Sequence, residues 1–345
     1  QSGKTFKNYK ELCKELEMPV KTSNSKKAQL KELQRYCKLI KSGHSFTVVE
    51  VYNTPLKKLD NRGKNSIYND LIQTLIIDYL LDSNKKINYI TKYKLLKYLQ
   101  MINDNYTYCS KNIPYLSIYT NIDEYIIQDF FNTSNSNFQH AIENALDNLR
   151  DKSIAISEKV IMVCNKNFIH KEATDKDKDI ILQCEKEILN EFNFKELTHV
   201  RISNRWEDFK IRLTELLQER SDIVFYYVSY KITANEKMYI LNEYNYLMQK
   251  LIDFYMSDID KKDKLNEIIC ERLIQNAIRR KNLINNNNKK INEARQINSY
   301  IEDNKILIDL LINKNAKDIR IDISRIKQEE IEKWHEEWGF LSEIE

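Results

Sequence analysis

The chain has 345 residues, 42% of them hydrophobic and 31% charged, with a formal net charge of +4. This apolar fraction is ordinary for a globular protein and excludes wholesale disorder, and the length suits two or three domains. The charge is unevenly placed: residues 1–65 hold 15 Lys+Arg against 6 Asp+Glu, a net of +9, and the remaining 280 carry a net of −5. A basic head on a mildly acidic body points to a polyanionic partner, most often nucleic acid.

Glycine usage removes whole classes of enzyme. The four glycines are Gly3, Gly43, Gly63 and Gly339, so residues 64–338 contain none. Phosphate loops, dinucleotide fingerprints and nucleophile elbows all need residues without Cβ at tight turns. Gly3-Lys-Thr5 imitates the end of a P-loop but lacks its upstream strand and first glycine. The cysteines at 13, 37, 109, 164, 184 and 270 form no short pair, which fits a reduced, cytoplasmic protein. The longest apolar run, Ile223–Tyr230, is far short of the roughly 20 residues that span a bilayer, so no membrane partner is expected. Heavy use of Asn, Lys, Ile and Tyr suggests an AT-rich coding genome.

Along the chain, Asn8 is placed to cap a helix over 9–16, with Glu11 completing a capping box. A polar loop at 21–25 precedes a second helix over 26–38, where Leu30, Leu33, Tyr36 and Cys37 share a face. The turn at 41–44 leads into a β-branched strand, 46–52. The next stretch reads as helices over 67–81 and 92–102, the latter capped by Thr91, then an irregular connection over 103–120. A helix over 122–131 follows, and Ser134–Asn137 reads as a cap before another over 138–150. Strands over 153–157 and 160–163, turning at Glu158-Lys159, complete a second helix–hairpin pattern. Beyond residue 168 the pattern is mostly helical, with 222–233 open between strand and buried helix, and the Asn285–Asn288 tract reads as a loop. The fold class expected is mainly α with small β-hairpins: tandem winged-helix-like units at 1–65 and 66–168, then a helical C-terminal domain at 169–345.

A helix entering a DNA groove needs short polar or basic side chains at its start and cations around it for phosphates. Ser25, Lys26, Lys27, Lys31 and Arg35 meet that need, with Lys41 and His44 at the wing tip and Lys57, Lys58, Arg62 and Lys64 beyond it. In the second unit, Asn135, Asn137, Gln139, His140 and Asn144 are candidate base readers, flanked by Arg150, Lys152 and Lys159 for phosphates. A third basic stretch, from Arg272 through Arg279 and Arg280 to Arg295, reads as a solvated face, with DNA contact as the alternative. Trp334 and Trp338 share a helical face, suited to stapling the terminal helix or to a homodimer contact.

No catalytic constellation emerges. The five histidines are scattered, no His–Cys spacing suits zinc, and no Glu-x-Lys occurs. Neither metal nor cofactor is expected. The tandem arrangement of Tyr9–Tyr52 and Ile122–Cys164 resembles the initiator proteins of theta-replicating plasmids and DNA-binding proteins of phages of low-GC Gram-positive bacteria. That resemblance implies a non-catalytic protein on repeated or palindromic double-stranded DNA that recruits a host replication or transcription protein. Two alternatives stand beside it: a nuclease with its core hidden around Asp222–Lys231, and a phage-type factor inhibiting a host complex.

Overall fold

The computed structural model describes residues 3–52, 61–201, 205–255, 260–281, 283 and 289–342; within them the side chains of Asn24, Ala28, Lys31, 61–66, 201 and 334–342 are left aside. Lys57 and Lys58 therefore lie outside the described residues, as do the Asn285–Asn288 tract and the side chains of Lys31, Arg62, Lys64, Trp334 and Trp338. The chain is mainly helical with small antiparallel sheets, and it divides into two compact units, Gln1–Asn65 and Ser66–Glu345.

The head opens with β1 (Thr5–Phe6) and α1 (Tyr9–Glu15). Asn8 caps α1 by accepting from the Glu11 N–H, while the Glu11 carboxylate reaches back to the N–H of Lys7. The second helix, α2 (Ser23–Leu33), starts three residues before the expected point and ends before Cys37, which instead begins β2 (Cys37–Ser42). A two-residue turn at Gly43-His44 joins β2 to β3 (Ser45–Val51), and Gly43 takes the positive φ, +58°, that such hairpin turns require. The sheet order is β1-β3-β2. Phe6, Tyr9, Leu12, Cys13, Cys37, Phe46 and Val48 form its core, with Leu30 and Leu33 of α2 packed against them.

The body begins with α3 (Asn61–Ser83), whose residues from Ile67 to Leu80 are buried almost all round, as expected of a core helix. Next come β4 (Ile87–Ile90), α4 (Lys92–Tyr98), α5 (Asp104–Cys109) and α6 (Ile113–Thr120). Residues 103–120 are thus largely helical, with Asn103 capping α5 and Pro114 in the first turn of α6, where a missing N–H costs nothing.

The expected break at Ser134–Asn137 is absent: α7 runs unbroken over 28 residues, Glu124–Asp151. Its apolar stripe continues through Phe130, Ser134, Phe138 and Ile142, and Ser134 fits there because its hydroxyl bonds the Phe130 carbonyl (2.7 Å) and the Tyr106 hydroxyl (2.8 Å). A serine whose hydroxyl bonds back to residue i−4 sits inside a helix instead of starting one.

The expected hairpin at Glu158-Lys159 is likewise replaced by one strand, β5 (Ala155–Asn165). The true reversal lies at 166–169, where the Asn165 side chain accepts from the N–H groups of Asn167 and Ile169. It leads to β6 (His170–Glu172), α8 (Asp175–Glu191), α9 (Leu197–Arg201), α10 (Trp206–Arg220) and β7 (Ile223–Ala234). The open question at 222–233 is resolved as strand. β7 pairs with β5 from Ala155↔Ala234 to Asn165↔Ile223 and with β4 on its other edge, giving the antiparallel order β4-β7-β5-β6.

The remaining helices are α11 (Lys237–Tyr255), α12 (Lys261–Lys281), α13 (Lys289–Gln296), α14 (Tyr300–Leu311) and α15 (Arg320–Ser342). They return to the middle of the chain. Asn105 donates to the carbonyls of Leu310 and Lys317, and Asn266 to those of Gln100 and Ile312. The boundary expected at residue 168 therefore cuts through a shared sheet and a shared core. Residues 66–168 and 169–345 are parts of one unit.

Candidate nucleic-acid interface

In the head, α2 and the β2–β3 hairpin follow α1, and Tyr9 locks the two helices together. Its hydroxyl donates to Gln29 (3.0 Å) and accepts from the Lys21 N–H (3.2 Å), while Gln29 donates to the Pro19 carbonyl (3.2 Å). The start of α2 is chemically bare. Thr22 occupies the cap position without a side-chain bond, the first turn has no acidic residue, and Ser23 sits at φ +47°, in the left-handed region. First-turn N–H groups without a side-chain cap carry the positive end of the helix dipole, which favours an anion.

The surrounding cations divide into two groups. Lys26 lies over the Tyr9 ring, 4.5 Å from its centre, and Arg35 is held by Glu32 and stacked near Tyr36. These two help to hold the helix in place. Lys21, Lys27, Lys38 and Lys41 make no ion pair with a described residue, and Ser25, Lys27, Lys41 and His44 are exposed. Lys41 lies next to the hairpin end, opposite Phe46, and His44 forms its tip. Lys38 was not among the expected contacts, because a helix written through residue 38 hid its place on a strand.

At the second expected interface the cations make ion pairs within the protein. Asn135, Asn137, Gln139, His140 and Asn144 lie in the middle of α7, where no free helix start exists. Asn135 accepts from Lys92 (2.7 Å) and Gln139 donates to Glu143 (3.0 Å). Arg150 pairs with Asp147 (2.8 Å) and Asp151 (3.3 Å), Lys152 with Glu243 (2.6 Å), and Lys159 with Glu143 (2.5 Å). Each expected phosphate contact is thus already matched by a carboxylate. Asn137, one of the expected base readers, lines a pocket together with Arg279 and Arg280 of the third basic stretch.

Around Asp222–Lys231, the ends of β7 lie in separate surroundings. Asp222 approaches Lys166 (3.8 Å), whereas Lys231 sits between Glu158 (3.3 Å) and Glu172 (3.0 Å), with Tyr89 donating to Glu172. The Lys231 ammonium holds the Glu172 carboxyl below its ordinary pKa, aided by the Tyr89 hydroxyl. Among the described residues, no group of three or more His, Cys, Asp or Glu comes together that suits a metal ion, and no helix is long and apolar enough to cross a membrane. No family model, curated protein or solved structure matches the chain.

Proposed function

We propose that the chain is a sequence-specific double-stranded DNA-binding protein, a replication initiator or regulator of a mobile element, that grips DNA through residues 1–65. In this reading the head is a winged-helix-like unit: α2 is its recognition helix and the β2–β3 hairpin its wing. The observation that carries the reading is the bare, acid-free start of α2 beside cations that lack carboxylate partners among the described residues. Phosphates are the partners that complete such a surface. The role of the body is then to present the head and engage a second protein, since its own cations are largely matched.

The test is binding of the full chain to DNA fragments titrated with salt and competitor DNA. With about six phosphates neutralised, the log–log salt slope is expected near about −5. Replacing Lys27, Lys38 and Lys41 together by Ala removes about three of those contacts and should flatten the slope to about −2 to −3. The melting temperature should barely move, because all three side chains are exposed and make no ion pair with a described residue. An unchanged slope and affinity in that variant would overturn the assignment to the head.

A further inference from the structure

The body contains a pocket of ≈ 540 Å³ where α7, α12 and α13 meet. Its walls follow helical spacing: Asp129, Asn132, Ser136 and Asn137 along α7, Asn276, Arg279 and Arg280 along α12. Arg295 closes it from α13. The lining thus holds three arginines and one carboxylate, a formal excess of two positive charges.

Asp129 is saturated. It is 2% exposed and accepts from Arg295 Nη2 (2.7 Å) and Nε (3.2 Å) and from the Tyr300 hydroxyl (2.6 Å), with Arg280 Nε at 3.3 Å. A single carboxylate in this position fixes the orientation of Arg280 and Arg295 and offsets one of their charges. Arg280 is steadied further by the Tyr300 hydroxyl (3.0 Å) and Asn304 (3.3 Å). Arg279, one residue away, is exposed and makes no hydrogen bond or ion pair with a described residue. The side chains of Asn132, Ser136, Asn137 and Asn276 likewise bond no described residue, leaving neutral donors around the mouth. The last turn of α12 favours cations through the helix dipole, but that partial charge of about −0.5 does not offset an excess of two.

We propose that this pocket binds a phosphate group carried by a nucleotide or by a nucleic-acid strand. Guanidinium forks match phosphate oxygens in pairs, and pre-oriented arginines lose little freedom on binding. The volume lies within the roughly 300–1,000 Å³ of small-molecule sites. The site lies wholly within residues 66–345 and does not depend on DNA binding by the head.

The experiment is calorimetric titration of the full chain with inorganic phosphate, adenosine monophosphate and a short single-stranded oligonucleotide. It is run in the Lys27, Lys38 and Lys41→Ala background, so that the head and the pocket report separately. Saturable binding of a phosphate probe is expected, weakened about tenfold or more by Arg279→Gln at unchanged melting temperature. Preference for the mononucleotide would identify a free nucleotide as the ligand, and preference for the oligonucleotide a strand. Absence of saturable binding at millimolar concentrations of every probe, or equal binding by the Arg279→Gln chain, would overturn the proposal.

Discussion

The head and the body spend the same lysines and arginines differently. In the body, Lys250 rests on Asp70 (2.5 Å), Lys261 on Asp78 (2.6 Å) and Lys152 on Glu243, while Lys231 is shared by two glutamates. In the head, Lys21, Lys27, Lys38 and Lys41 have no such partner among the described residues. Exposed ion pairs add little stability, about 0–1 kcal/mol each. Their larger effect is on the field: a paired lysine projects almost none beyond a Debye length, while a cluster of unpaired ones attracts polyanions from solution. Net charge alone does not separate these cases; the spacing of acids around the bases does.

The comparison is sharpest where the body buries its charge. Asp129 stands between Arg295 and Arg280, whose side chains are 8% and 12% exposed. Asp129→Asn keeps the shape but leaves two guanidiniums without their counter-charge. Removing one partner of a buried ion pair costs about 3–5 kcal/mol, so this variant should show the largest loss in a denaturant melt of any single change considered. A loss below about 1 kcal/mol would mean that water or an anion already satisfies the arginines, and the pocket would have to be redrawn as an open surface.

Much of this organisation was legible in the sequence. The head's two helices and its hairpin follow from the turn at Gly43 and the apolar spacing of Leu12, Leu30 and Leu33. The body is less legible where a local signal competes with a distant partner. Ser134–Asn137 has cap-forming composition, but Tyr106, 28 residues earlier, satisfies Ser134 inside the helix. Glu158-Lys159 looks like a turn because both residues are charged, yet Lys231 stands opposite Glu158 on β7 and Glu143 holds Lys159. The arginine pocket escaped for the same reason. Arg280 reads as solvated until Asp129, about 150 residues earlier, is placed beside it. Strand pairings and ion pairs across such separations leave no periodic trace in sequence.

Helix starts offer a second contrast of intermediate size. In the body, Thr174 and Asp177 form a full capping box at α8, Thr91 caps α4 and Asp123 caps α7. In the head, Asn8 caps α1, whereas Thr22 makes no cap bond at α2, as also happens at α6, α10 and α14 of the body. Thr174→Ala should therefore cost about 1 kcal/mol, while Thr22→Ala should leave the melting temperature nearly unchanged. Equal losses would show that Thr22 closes the start of α2 in solution, and the first-turn N–H groups would no longer be available to a phosphate.

The smallest effect concerns pH and tests whether the body's pairs are closed. Lys159 hydrogen-bonds the Glu143 carboxylate and draws its pKa below the ordinary glutamate value, against a desolvation that raises it, with Gln139 assisting. A carboxyl whose pKa is lower folded than unfolded adds stability above the unfolded value, near about 4.3, and loses it as pH falls through the folded one. Glu143→Gln should therefore lower stability at pH 7 by less than about 1 kcal/mol, because both partners are part-exposed and solvent screens them. That difference should vanish near pH 3 in paired thermal melts. A difference persisting there would assign the loss to packing of the side chain at position 143, and Lys159 would then count among the cations available to bind DNA.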